Sequence, residues 1–437
     1  MKKNNNIAIY IEKTKSFSRN AKLVLIYSAF TGLAFGVFRF LFNFYVLSLG
    51  NAYNESFIGT LQTATSLASI MMALPAAYFA ERFSQKRLMA VTGLASGVAI
   101  LGLVLFPAKI PLIIFRMVAG VSMSMRQVAM APFLMANTTE EDRQWVFSFN
   151  FGLMTVSGFF GNLLGGWLPT WFGNWLGALP TDTVSYQWAL GSMMLVTILS
   201  VGPLAFILMP PRDTTRKIEL PWVQIRHYGW KLGQFLLPQL IIGLGAGLMQ
   251  PFMNIYFRNV YQKPDPPIAA VFAIGGLAMA VAQFLGPPLA DKFGKINTVI
   301  QTQLLSVPFL LMLGLGAWLV PSGLGRVEVW FLMAGGAYIF RLALMNLSNP
   351  VYQTFVLEHV PDDVQALAMS LNSISFQFGW FVMPQVSGWL QVRFGEFGFV
   401  PVFGMVAVFY VLATGLEWRL FGGRNREIPV IAPMVGD

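Results

Sequence analysis

The stretch TGLAFGVFRFLFNFY, residues 31–45, sets one arginine inside an apolar run, and it returns as IGLGAGLMQPFMNIY, residues 242–256. At an offset of 211, Gly32, Leu33, Gly36, Asn43 and Tyr45 recur as Gly243, Leu244, Gly247, Asn254 and Tyr256, with Arg39 opposite Gln250. A second pair is GWLPTWFG (166–173) against GWLQVRFG (388–395). At that pair's offset, Ser148 and Asn150 match Ser370 and Asn372, and Glu140 and Glu141 match Asp362 and Asp363. A third is FAERFSQKR (79–87) against LADKFGKIN (289–297). Three matches at similar offsets predict a chain built from one duplicated unit.

The surroundings of the repeat say what that unit is. The 437 residues are 56% hydrophobic and only 11% charged, where a soluble domain carries about 25% charge. Hydrophobic segments at 23–49, 57–80, 88–107, 110–136, 144–172, 186–209, 232–257, 267–290, 297–320, 328–357, 365–391 and 398–420 each suffice to cross a ~30 Å hydrocarbon core. A backbone in lipid must satisfy its own hydrogen bonds, so all twelve are expected to be helices. The expectation is an all-α membrane protein of twelve transmembrane helices in two pseudo-symmetric six-helix bundles.

With the N-terminus inside, twenty basic residues fall in inside segments and five outside: Lys109, Arg258, Lys263, Arg326 and Arg393. That bias predicts both termini in the cytoplasm. It also accounts for the net charge of +10 as topology and attraction to anionic lipid rather than as a nucleic-acid surface. The N-terminus has no short apolar stretch with a cleavage site, so it reads as a retained tail in a plasma-membrane protein. There is no cysteine, which excludes disulfides, thiolate metal sites and cysteine nucleophiles. The organisation expected is a tail (1–22), a first bundle (23–209), a polar, proline-punctuated linker (210–231), a second bundle (232–420) and a tail (421–437). Duplicated bundles place a binding site between them near the midplane.

The loops after the second and eighth spans resemble the signature motif of the major facilitator superfamily. The second copy carries Leu289, Ala290, Asp291, Lys292, Gly294 and Lys295; the first has Glu81 and Arg82 at the acidic and first basic places. Arg116 and Gly120 resemble the family's arginine-xxx-glycine motif, and Gly161, Gly165 and Gly166 keep part of its antiporter motif, with Asn162 in place of the proline. The resemblance implies the major facilitator fold, alternating access, a cavity lined by spans 1, 4, 7 and 10, and a cytoplasmic gate latched by Glu81, Arg82, Asp291 and Lys292. A carboxylate near a helix end followed by basic residues could also pair and cap neighbouring helices, or form only a solvated, positive loop.

Four basic residues remain inside spans: Arg39, Arg116, Arg126 and Arg341. Each costs ~2.5–3.5 kcal/mol at a helix centre on insertion scales. No acid sits among them. All 19 acids fall in loops, tails or span ends, Glu358 and Glu417 coming closest, and both histidines are at cytoplasmic positions. The surplus points to an anionic substrate, because a guanidinium presents a planar fork to carboxylate or phosphate oxygens. The alternatives are snorkelling to the outer interface for Arg39, a coupling or structural role for Arg116, and helix-end carbonyls for Arg126. Arg341 is the deepest. Asn43, Gln250, Asn254 and Tyr256 are further candidates, the asparagines equally as interhelical glue. Pro251 is expected to kink the seventh span and free a carbonyl.

The function expected is secondary active transport of a small organic solute, anionic or amphipathic, with no metal, cofactor or catalytic group. A proton-coupled drug or metabolite efflux antiporter and a lipid translocator are the alternatives. The partners expected are that solute, the bilayer and a coupling proton or counter-ion, with the chain a monomer and no nucleic acid bound. No P-loop and no set of paired carboxylates, cysteine or clustered histidines supports an ATP-driven pump or an enzyme.

Overall fold

A computed structural model describes residues 17–136, 138, 140–208 and 222–422. The tail up to residue 16, the linker from 209 to 221 and the tail from 423 lie outside the described residues, as do the side chains of Glu81, Glu140, Glu141, Asp362 and Asp363. The described residues form helices and no strand. Six helices precede the linker: α1 (Arg19–Ser48), α2 (Glu55–Arg82), α3 (Gln85–Leu105), α4 (Lys109–Ala136), α5 (Glu140–Leu176) and α6 (Thr183–Ala205). After it, α7 (Trp222–Met249), a 3-10 turn (Gln250–Phe252) and α8 (Met253–Tyr261) make one interrupted rod. Then follow α9 (Asp265–Phe293), α10 (Lys295–Leu319), α11 (Val327–Glu358), α12 (Asp362–Phe394) and α13 (Phe399–Phe421).

Among the described residues, ten stretches are long and apolar enough to cross a membrane. α2 is not one of them, and the last, Leu367–Phe421, runs through α12 and α13 together. Several helices outrun the apolar segments read from sequence, because polar caps carry them into water. Ser18 Oγ accepts from the Ala21 amide at 3.1 Å at the start of α1, and Asn54 does the same for Phe57 at 3.2 Å in α2. α7 begins at Trp222, so helix occupies the later part of the stretch read as linker.

The duplication is visible as packing. In the first half α1 packs on α5 and α6, α4 on α2 and α3, and α3 on α6. In the second, α7 packs on α12 and α13, α11 on α9 and α10, and α10 on α13. The recurring glycines lie at the same contact in each half. A Cβ on Gly36 would stand 2.7 Å from the Gly158 carbonyl oxygen, and one on Gly247 would strike Gly379 and Trp380. Only glycine lets these backbones approach so closely. The recurring tyrosines do one job twice. Tyr45 donates to the Leu103 carbonyl at 2.8 Å, and Tyr256 donates to Leu313 at 2.9 Å.

One end of the molecule holds the start of α1 and the end of α13; it is called the terminal end, and the opposite end the distal end. Exposed tryptophans ring both: Trp167, Trp171, Trp175, Trp188, Trp318 and Trp389 toward the distal end, Trp230 and Trp418 toward the terminal end. Indole rings favour the two membrane–water interfaces.

The halves meet through α2 against α12 and α5 against α9, and the contacts gather at the distal end. Thr63 donates to the Phe381 carbonyl at 2.7 Å, Gln385 to Thr60 at 3.0 Å, and Gly166 faces Pro266 and Ala269. Toward the terminal end α5 and α9 part. Phe147, Ser148 and Phe151 face Gln283, Phe284 and Pro350 across a groove of about 290 Å³.

Candidate functional site

Helical spacing puts Phe35, Arg39 and Asn43 on one face of α1. Phe35 and Arg39 are exposed and Asn43 is half-buried. That face looks across to the second half, because the Arg39 guanidinium acts electrostatically on the hydroxyl of Tyr338 on α11. Arg341, one turn further along α11, acts on the same hydroxyl. Tyr338, itself 1% exposed, thus lies within electrostatic reach of one arginine from each half.

Arg341 is only 1% exposed. It donates through Nη2 to the Tyr410 hydroxyl, and its guanidinium carbon lies 5.4 Å from that ring's centroid. Among the described residues its Nε and Nη1 hydrogens find no acceptor. Arg116 is held inside the first half, donating to Gln62 Oε1 at 3.2 Å and lying over the rings of Phe42 at 4.6 Å and Phe38 at 5.7 Å. Those two rings flank Arg39 in sequence and stack at 4.9 Å, so Arg116 supports the α1 face from behind. Arg126 is half-buried. The ion pairs among the described residues are Arg258–Asp265, Lys263–Glu328 and Lys295–Glu358; none reaches these four arginines.

The asparagines fasten the halves to each other. Asn43 Nδ2 donates to the Pro251 carbonyl at 2.6 Å and to Asn254 Oδ1 at 2.9 Å, and Asn254 Nδ2 donates to the Phe40 carbonyl at 2.8 Å. Pro251 does break its rod, and the Pro251 carbonyl is taken by Asn43. Tyr256 is wholly buried and engaged by Leu313 and Tyr261, so its hydroxyl faces the interior of the second half. Gln250, in the 3-10 turn, is half-buried and keeps a buried Oε1 without a donor.

The signature loops sit at the terminal end. Asp291, Lys292 and Arg82 are exposed; Arg82 donates to Tyr78 within its own helix, and Lys292 lies over the Phe293 ring at 5.2 Å. Lys86 caps α6, donating to the carbonyls of Ala205 at 2.8 Å and Ile207 at 2.6 Å.

This is the geometry of two related bundles joined at one end and parted at the other. The family model of the Major Facilitator Superfamily matches residues 24–384. The chain belongs to that superfamily. This facilitator is accordingly a membrane transporter and not an enzyme. No curated protein matches its sequence. Among solved structures it is similar to the nucleoside transporter NupG, with 12% identity, a TM-score of 0.73, and coverage of 92% of this chain and 100% of that one. It is also similar to a bacterial homolog of the human lysosomal transporter Spinster in an inward-facing, occupied conformation, with 15% identity, a TM-score of 0.74 and coverage of 95% and 100%. A D-xylose-proton symporter aligns with 17% identity, a TM-score of 0.67 and coverage of 91% and 97%. At such identities these likenesses concern the fold.

Two clusters in the facilitator were not singled out from sequence. At the distal end Arg258 donates to the Tyr186 hydroxyl at 2.7 Å and to Asp265, Tyr186 donates to Asp265 at 3.1 Å, and the Arg258 guanidinium lies 3.2 Å over the Phe44 ring. This unites α1, α6, α8 and α9 across the two halves. The signal was a loop arginine and an acid seven residues apart around a tight turn. The second is Glu417, counted among the span-end acids. It is 0% exposed, and both carboxylate oxygens lack a partner. Packing of α7, α10 and α12 around α13 buries it, which hydropathy along one segment does not report.

Proposed function

We propose that this facilitator carries a small organic anion as a secondary transporter, alternating access to the space between its halves. The supporting observation is that Arg39 and Arg341, one from each half, both lie within electrostatic reach of Tyr338, form no ion pair among the described residues, and leave two N–H groups of Arg341 unclaimed there. An anionic group entering between them would accept those hydrogens and repay the cost of the buried charge. Gln250 is a further contact in this reading, Arg116 and Arg126 set the field around it, and Asn43 and Asn254 hold the halves.

In the same proposal the chain lies in the plasma membrane with both termini cytoplasmic. The parted terminal end then faces inward, and Glu81, Arg82, Asp291 and Lys292 meet partners only once that end closes. The two bundles, 23–209 and 232–420, move as bodies about the distal contacts. The phenylalanine-lined groove between α5 and α9 favours a second reading, an anion with an apolar tail, and a lipid is its limiting case.

The test is binding and counterflow in proteoliposomes with matched solutes: a dicarboxylate, an organic phosphate, a single-chain lyso-lipid and a neutral sugar. Competition by the anions and not by the sugar, lost in Arg39→Ala and Arg341→Ala, is the expected result. Transport of the sugar alone would overturn the proposal, and preference for the lyso-lipid would select the tailed anion.

A further inference from the structure

Glu417 lies in the interior of the second half, four residues before the end of α13. Its polar neighbour is the side chain of Gln303 on α10, which is 2% exposed and whose own Oε1 also lacks a donor. The Gln303 side chain can donate to one carboxylate oxygen, and among the described residues no further donor lies within hydrogen-bond distance of the carboxyl group. A single proton supplies what is missing, since a carboxylic acid donates where a carboxylate only accepts.

The side chains of Arg226 and His227 on α7 and of Asp362 and Asp363 on α12 lie outside the described residues, and Lys231 on α7 is exposed; the other ionisable groups are placed as follows. Tyr352 on α11 is within electrostatic reach of Glu417 and donates to the Phe235 carbonyl of α7 at 2.6 Å. Tyr410, two turns back on α13, holds Arg341. His359 Nδ1 lies 2.7 Å from the Phe355 carbonyl, and its ring packs on Phe355 and Phe235. Lys295 on α10 is paired with Glu358. Tyr228 on α7 is buried and Arg419 is exposed, each engaged elsewhere. Among the described residues no cation contacts the carboxyl group.

We propose that Glu417 is a proton-binding site whose occupancy biases the opening of the cleft. One carboxylate oxygen takes a proton from a hydronium ion of the solvent; one O–H bond forms, the hydronium O–H bond breaks, and a water molecule is released. The bound proton favours the present packing of α10, α11 and α13. Its loss leaves a charge among them that is relieved only by admitting water or by repacking. The same α11 and α13 hold Arg341 and Tyr410, so the packing change reaches the space between the halves. The proposal rests on alternating access but not on the identity of the solute.

The cysteine-free chain permits a clean test. Ala269→Cys reports the distal contact, where Ala269 is 0% exposed, and Ser148→Cys reports the terminal groove. Each single-cysteine variant of the full chain, in lipid nanodiscs, is labelled with a maleimide from acid to alkaline pH in potassium and in sodium buffers. The ratio of the two rates cancels the reactivity of the thiol itself. The expected result is a several-fold rise in the distal-to-terminal ratio with pH. The rise is absent in Glu417→Gln, displaced in Glu417→Asp, and unaffected by sodium. Loss of the infrared band of the protonated carboxyl group over the same pH range in the protein with Glu417 intact gives a readout that does not depend on how well the variants fold. A flat ratio, an unchanged pH profile in Glu417→Gln, a ratio that follows sodium and not pH, or no carboxyl band assignable to Glu417 would each overturn the proposal. No solute enters the assay, so failure here leaves the anion reading untouched.

Discussion

A guanidinium that is 1% exposed, with two of its N–H groups unclaimed, is an expensive thing for a helix bundle to keep. At Arg341 the Tyr410 hydroxyl and ring offset part of that cost, and in the proposed function the remaining donors are those that the anionic group of the solute takes up. Arg341→Ala is therefore expected to weaken anion binding by about 30-fold or more, the equivalent of ~2 kcal/mol or above for a desolvated charged hydrogen bond. Arg341→Lys keeps the charge but not the fork, and should recover only a part. Isothermal titration with the best-competing anion measures both; affinity unchanged in Arg341→Ala would remove this residue from the site. Arg39, an exposed side chain, is expected to show a smaller, salt-sensitive loss on the same titration. These arginines were legible as charges in apolar runs. Glu417 was not, because its burial arises from helices that meet it from elsewhere in the chain.

Among elements, the repeat was the most legible feature, and the structure supplies its physical reason. Gly32, Gly36, Gly243 and Gly247 recur because α1 and α7 each press their backbones against a partner, α5 and α12. A substitution here acts on packing and not on the solute. Gly36→Val is expected to destabilise the folded protein by about 1–3 kcal/mol, the range for overpacking a tight contact. Gly152→Ala is the control, since nothing stands within 4 Å of its added carbon. Thermal unfolding in detergent separates them, and equal melting temperatures would refute the close-packing account. The break at Pro251 was also legible, from the imino acid itself. The bond that Asn43 donates to its carbonyl was not, because it joins residues 208 apart.

At the scale of the whole molecule, the question is what holds the distal end shut. Arg258, Tyr186, Asp265 and Phe44 form a connected cluster across the halves, and Glu55 accepts from Asn259 at 3.3 Å beside it. None of this could be read from sequence, since it exists only in the conformation in which α6 stands against α8 and α9. In the proposed alternating access such a lock is strong enough to hold and weak enough to open, so its removal should shift the balance and not abolish the fold. Asp265→Asn keeps the shape but leaves Arg258 without its counter-charge, and Tyr186→Phe removes the bridge between halves. Each is expected to raise the distal-open population by about 5- to 150-fold, a coupling of roughly 1–3 kcal/mol. Spin labels on Asn51→Cys and Leu324→Cys, both on distal loops of opposite halves, report the change as a longer distance growing in amplitude. Because the starting conformer is closed at this end, even the lower bound should be visible when the open state begins at a few per cent. An unchanged distance distribution in both variants would mean that the remaining bonds across the halves, those of α2 with α12 and those of Asn43 and Asn254, hold the end, and Thr63, Gln385 and Asn43 would then be the residues to alter.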